Sequence, residues 1–109
     1  MSSKNIIVKI GQNICKISIS DILFVSTNPN HDHSVILETT NDSLPTYGII
    51  SQYEEFKNLF RCHKSFVVNL NNIGTIDKSS RTITFKNSSK HCQISRRLMK
   101  PIMDTWLGM

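Results

Sequence analysis

Apolar positions recur with period two through most of this chain, and the breaks in that rhythm divide it into short segments. Ile6, Val8 and Ile10 alternate around Ile7 and Lys9, Gly11-Gln12-Asn13 supplies turn chemistry, and the apolar pattern resumes from Ile14 to Ile19. That spacing predicts an opening hairpin. Ser20 to Ser26 reads as a short apolar strand, and Thr27 to His33 as a loop in which Pro29 removes a ladder donor. The chain returns through Val35, Ile36 and Leu37, and Asn41-Asp42-Ser43 begins another turn. The first half is a meander of short strands.

The period changes between Ile49 and Phe60. Ile49, Tyr53, Phe56 and Phe60 fall three and four residues apart, which predicts one small amphipathic helix packed across a sheet. Strand patterning resumes at Phe66 to Asn69, Ile73 to Ile76, Thr82 to Phe85 and Cys92 to Ile94, with polar turns at Ser79-Ser80 and Lys86 to Lys90. Ser95 to Trp106 is expected to start as a loop and end as a short helix, because Pro101 should break or delimit a continuous one. The fold class is mainly β, in short antiparallel sheets.

With 109 residues the chain is the size of one domain, 1–109, able to bury a core without disulfides or metal. No segment reaches the roughly 20 apolar residues of a membrane-spanning helix, and Met1 to Asn5 holds no signal-peptide core. A cytoplasmic protein with no membrane insertion is expected, and the odd set Cys15, Cys62 and Cys92 fits reduced thiols. The net charge of +5 is unevenly spread. Met1 to Glu55 holds three Lys against six acidic residues, a balance of −3, and Phe56 to Met109 holds ten Lys and Arg against two Asp, a balance of +8. A basic half of this kind suits a polyanionic partner, since neutralised phosphates release condensed counterions.

The run Phe60 to Ile73 concentrates the interest. Phe60, Phe66, Val67, Val68 and Ile73 have strand character, while Arg61, His63, Lys64, Ser65 and Asn69 bring donors that a plain core strand avoids. The inverted pairs Cys62-His63 and His91-Cys92 suggest a metal site, but adjacent strand residues point to opposite faces and the spacing is not that of a zinc finger. No metal and no cofactor is expected. A Cys-His nucleophile pair lacks any recognisable nucleophile turn, so the chain is not read as an enzyme. Met103, Trp106 and Leu107 are expected to pack at the terminus rather than to form a partner patch. The competing functional reading is a β-type interaction module whose basic face binds a protein or RNA, although most aromatics fall in apolar patterns instead of being free to stack on bases.

Phe60-Arg61-Cys62-His63-Lys64-Ser65-Phe66-Val67-Val68-Asn69, followed by Ile73, Ile76, Ile83-Thr84-Phe85 and Ser95-Arg96-Arg97, resembles the LytTR family of bacterial DNA-binding output domains, in particular those of AgrA-type quorum-sensing response regulators. The resemblance covers essentially the whole chain. It implies an elongated, mostly β domain in which loops at one edge, rather than a recognition helix, enter the grooves of promoter DNA at paired direct repeats and bend it. It also implies that the chain is DNA-binding unit throughout, with no receiver domain. Matched position by position, the base-contacting side chains fall on His31, Lys64 and Arg97. Arg97 has the fork for guanine O6 and N7, Lys64 can donate to the same acceptors, and His31 donates or accepts by tautomer. Some family members carry an amide side chain where Lys64 stands. Ser65, Asn69, Ser95, Arg96 and Lys100 are suited to phosphate or sugar contacts. Cys62 and Cys92 lie beside these positions; if their strands are neighbours, the two sulfurs could form a reversible disulfide.

Overall fold

The structure, a computed structural model, describes residues 5–109; Met1 to Lys4, part of the stretch read as holding no signal-peptide core, lie outside the described residues. Strands β1 (Asn5–Ile10) and β2 (Asn13–Ser18) form the predicted hairpin, in register from Asn5 opposite Ser18 to Ile10 opposite Asn13. Gly11, at φ +60°, takes the first turn position, where only glycine is unstrained. A 3-10 turn at Ile19–Asp21 leads into β3 (Ile22–Thr27), β4 (Ser34–Thr39) and β5 (Ser43–Tyr47). After a second 3-10 turn at Ile50–Glu55 come β6 (Leu59–His63) and β7 (Phe66–Asn69). A third, Leu70–Asn72, precedes β8 (Ile73–Asp77), β9 (Thr82–Phe85), β10 (His91–Gln93) and helix α1 (Arg96–Leu107).

The central sheet is antiparallel in the order β5-β4-β3-β7-β6, and a smaller sheet runs β10-β9-β8. Both faces of the central sheet are covered. Val25, Leu37, Leu59 and Val67 meet the β1–β2 hairpin residues Val8 and Ile17 and the 3-10 residues Ile50 and Tyr53 in one cluster. Phe24, Cys62 and Val68 join Ile83, Phe85 and Cys92 of the smaller sheet and Ile102 of α1 in a second. Double coverage explains why Val67 and Val68 are consecutive yet both fully buried, since alternation sends one to each core. Each such side chain contributes about 1.5–3 kcal/mol. Lys90, from the loop before β10, binds the two parts together: its ammonium donates to Glu38 Oε1 at 3.0 Å and to the carbonyls of Thr39 and Asp42 at 2.7 and 2.6 Å. The body measures 42 × 35 × 25 Å.

Two expectations are corrected, and one strand is added that the pattern did not predict. The helix over Ile49–Phe60 is a six-residue 3-10 turn followed by strand: Ile50 and Tyr53, three apart, are the buried pair, whereas Ile49 is exposed. Asn58, at φ +71°, then reverses the chain into β6. Pro101 does not delimit α1 but sits inside it. Its missing N–H deprives only the Arg97 carbonyl, the ring is exposed, and Leu98, Met99, Ile102 and Trp106 hold the helix against the second core. Strand β5 escapes the pattern because Pro45 lies within it; as a sheet edge, it tolerates the lost donor.

Candidate nucleic-acid interface

The cation-rich run is a hairpin whose two-residue turn, Lys64-Ser65, joins β6 to β7 with His63 opposite Phe66. Because β3 and β7 are antiparallel with Ser26 opposite Phe66, the loop after β3 emerges at the same end of the sheet as this turn. A backbone bond from Thr27 N–H to Ser65 O, 3.0 Å, joins the two. The register leaves Cys62 as an extra residue between Arg61 and His63. Its carbonyl accepts from Ser95 N–H at 2.9 Å, which brings the start of α1 to that end as well. The structure thus gathers at one edge the three segments carrying His31, Lys64 and Arg97, and all three residues are exposed.

The loops are braced. Asn28 N–H donates to Ser34 O at 3.1 Å, Asn28 Oδ1 accepts from Asn30 N–H at 3.0 Å, and Gly48 N–H donates to the carbonyl of His33, itself at φ +57°. His63 accepts from Ser65 N–H through Nδ1 at 3.1 Å, so its ring proton sits on Nε2, and the ring lies 5.1 Å from that of Phe66. His63 is thereby a bracing residue of the turn. Arg96 and Arg97 occupy the first turn of α1 with no acidic residue beside them. Cations there oppose the helix dipole at a cost of about 0.3–1 kcal/mol each, an arrangement that an anionic partner would relieve. Lys100 is exposed and pairs with Asp104 at 3.1 Å; both side chains are more than half exposed, so the pair is weak.

Two expected backbone contacts do not present a donor. Asn69 is 1% exposed and stands at the far end of β7 from the turn. Its Nδ2 donates to Ile19 O and Ile22 O, both at 3.0 Å, and its Oδ1 accepts from Asn71 N–H at 3.1 Å. Every hydrogen-bonding atom of that amide serves the fold, so Asn69 is a structural residue. Ser95 contributes its backbone N–H to Cys62, but its hydroxyl is buried without a partner. Ser65 is half-buried and Arg96 exposed, both at the gathered edge.

Cys62 and Cys92 are buried free thiols, 0% and 2% exposed. They are not on neighbouring strands of one sheet: β6 belongs to the central sheet and β10 to the smaller one, and the thiols meet across the second core. A hydrogen bond with Cys62 and then burial push the Cys92 thiol far above its ordinary range. The Cys62 thiol lies 3.5 Å from the Gln93 carbonyl. Among the described residues, no three His, Cys, Asp or Glu side chains converge as metal ligands, and no helix is long and apolar enough to cross a membrane.

Fold and site together define a small antiparallel β domain that gathers a histidine-bearing loop, a lysine turn and an arginine-bearing helix start at one edge. Residues 12–106 match the family model of the LytTr DNA-binding domain, and the chain belongs to that family. It is 35% identical over 102 residues to accessory gene regulator protein A of Staphylococcus aureus, covering 93% of this chain and 42% of that protein. It is 34% identical over 96 residues to the protein of the same name in Staphylococcus epidermidis, covering 87% and 40%. The chain therefore spans about two-fifths of the length of these relatives. The LytTr DNA-binding domain of a methyl-accepting/DNA response regulator from Bacillus cereus shares the fold, with a TM-score of 0.75 at 19% identity and 100% coverage of both chains. The sequence reading missed the role of Arg61, whose guanidinium bonds two carbonyls of the Lys64 turn. A cation two residues before a histidine gives no sign of that in one dimension.

Proposed function

We propose that this domain is the DNA-reading output unit of a bacterial transcriptional regulator of the response-regulator type that serves quorum sensing in the cytoplasm. His31, Lys64 and Arg97 contact base edges, and Ser65, Arg96 and Lys100 contact the sugar-phosphate backbone. The loops enter successive grooves of duplex promoter DNA, and two copies bind direct repeats and bend them. The observation that carries this reading is the gathering of the His31 loop and the Arg96-Arg97 helix start beside the Lys64-Ser65 turn, through the Thr27–Ser65 and Ser95–Cys62 backbone bonds. Membership of a DNA-binding family supports it. Phosphate contacts supply affinity and position; side chains on base edges supply sequence preference.

Selection of bound sites from random duplex DNA, followed by a salt series on the winning site, tests the proposal. One preferred sequence, read as a repeat, with affinity falling steeply as salt rises, is expected. Equal binding to every duplex and to RNA would favour a basic interaction module instead. In this reading Cys62 and Cys92 also form a disulfide under oxidation, supported by the packing of both cysteines in the second core. Peroxide treatment should leave Cys15 as the one free thiol; three surviving thiols would dismiss the pair.

A further inference from the structure

Arg61 stands on β6 and is directed away from the second core, into which Cys62 is packed. Its side chain is 27% exposed, and each of its three nitrogens has a partner. Nε donates to the His63 carbonyl at 2.9 Å, Nη2 to the Lys64 carbonyl at 2.8 Å, and Nη1 to Glu54 Oε2 at 2.5 Å. The two carbonyls belong to the peptide planes before and after the Lys64 Cα. Fixing both planes fixes φ and ψ of Lys64, and so the direction in which its Cα–Cβ bond leaves the turn. The plane after Lys64 is gripped from its other side too, because Ser65 N–H donates to His63 Nδ1. A lysine is a compact charge on a flexible four-carbon stem, so its aim depends on its backbone more than that of a two-pronged arginine would.

We propose that Arg61, held in place by Glu54, is a positioning residue for base reading by Lys64. Resting on the DNA-reading function above, it assigns Arg61 to specificity rather than to phosphate affinity. A planar guanidinium can bridge two successive carbonyls and a carboxylate at once; an ammonium of the same charge cannot keep that fork. Glu54, from the second 3-10 turn, turns the fork toward the protein and away from solvent.

The test compares the selected site with random duplex over a salt series, for wild type, Arg61→Lys, Glu54→Ala, Lys64→Ala and Arg61→Lys combined with Lys64→Ala. Arg61→Lys is expected to lower the site-over-random ratio about tenfold while leaving random-duplex affinity and the salt slope unchanged. Glu54→Ala, an exposed position safe for folding, should lower the ratio in the same direction. In the Lys64→Ala background Arg61→Lys should cost nothing further, since the lysine it aims is gone. A general structural defect would instead add to the loss and overturn the proposal. So would a phosphate role for Arg61, in which Arg61→Lys keeps the ratio and Glu54→Ala, by freeing the guanidinium and removing a negative charge, strengthens binding to every duplex. If wild type itself shows no preference between site and random duplex, the DNA-reading function fails first. That result is distinct from a wild-type preference that Arg61 does not influence.

Discussion

Asn69→Ala separates fold from function at a motif position where the two readings compete. The substitution removes three hydrogen bonds, to Ile19 O and Ile22 O at 3.0 Å each and from Asn71 N–H at 3.1 Å. At about 1 kcal/mol per bond the expected loss is about 3 kcal/mol. It does not climb much higher, because neither carbonyl is left bare: Ile19 O still accepts from Ile22 N–H, and Ile22 O still accepts from Asn72 Nδ2 at 2.8 Å. For a domain of this size the loss corresponds to a fall in Tm on the order of 10–20 °C. Urea and thermal unfolding measure it directly. The folded variant, assayed well below its Tm, should bind duplex DNA with wild-type affinity and salt slope, since the side chain is 1% exposed. A stability loss below about 1 kcal/mol together with weaker binding to every duplex, at an unchanged salt slope because the amide is neutral, would refute the argument and return Asn69 to the phosphate contacts.

Other substitutions follow from exposed chemistry. Arg97→Ala should cost about 1–3 kcal/mol at the selected site and relax preference at one base pair, whereas Lys100→Ala should weaken all duplexes alike and flatten the salt slope by about one unit; competition binding distinguishes them. Arg96→Glu replaces a cation by an anion in the first turn of α1, so the free domain should gain about 1 kcal/mol in urea unfolding even as DNA affinity falls; a drop in stability would contradict the dipole argument. Stability should also fall with pH on the alkaline side. The Cys92 thiol, raised by its hydrogen bond with Cys62 and by burial, keeps its proton in the folded state where the unfolded chain loses it. Its contribution is therefore complete below the ordinary thiol pKa of about 8.5 and is lost above it, by up to about 1.4 kcal/mol per pH unit. Comparing urea midpoints of wild type and Cys92→Ala between about pH 8 and 10 isolates this slope from tyrosine and lysine titration; equal slopes would contradict it.

Much of the fold was legible because its strands obey simple alternation. Phe66–Asn69 and Thr82–Phe85 emerge from the pattern residue for residue, and the opening hairpin does so with its second strand shifted by one, to Asn13–Ser18. What was not legible depends on neighbours. Ile50 and Tyr53 satisfy a 3-10 turn as well as an α-helix, and only the left-handed Asn58 and the burial of Leu59 decide between them. Pro101 is a strong breaker in one dimension, but three-dimensional packing of Ile102 and Trp106 outweighs one lost bond. Exposed cations of the site, His31 aside, were legible as charge; whether a polar residue such as Asn69 faces solvent or closes a backbone network depends on the 3-10 turn nearly fifty residues earlier.

A single extra residue accounts for how these loops share an edge. In an uninterrupted β6–β7 ladder Cys62 would be one of the paired positions, and its carbonyl would be committed to β7 or to solvent. The bulge lets Arg61 pair with Val67 and His63 with Phe66 while Cys62 stands outside the count. Its thiol then enters the second core against Cys92, and its carbonyl holds Ser95 N–H at the start of α1. On either side of it, Arg61 grips the Lys64 turn through two carbonyls and His63 through Ser65 N–H. The Lys64 turn and the start of α1 thus hang from three consecutive residues, Arg61, Cys62 and His63, none of which needs to touch DNA. Any change in the Cys62–Cys92 contact acts one carbonyl away from the segment carrying Arg96 and Arg97, and for that reason oxidation at a fully buried pair should be read out at the DNA edge before it is seen in the rest of the fold.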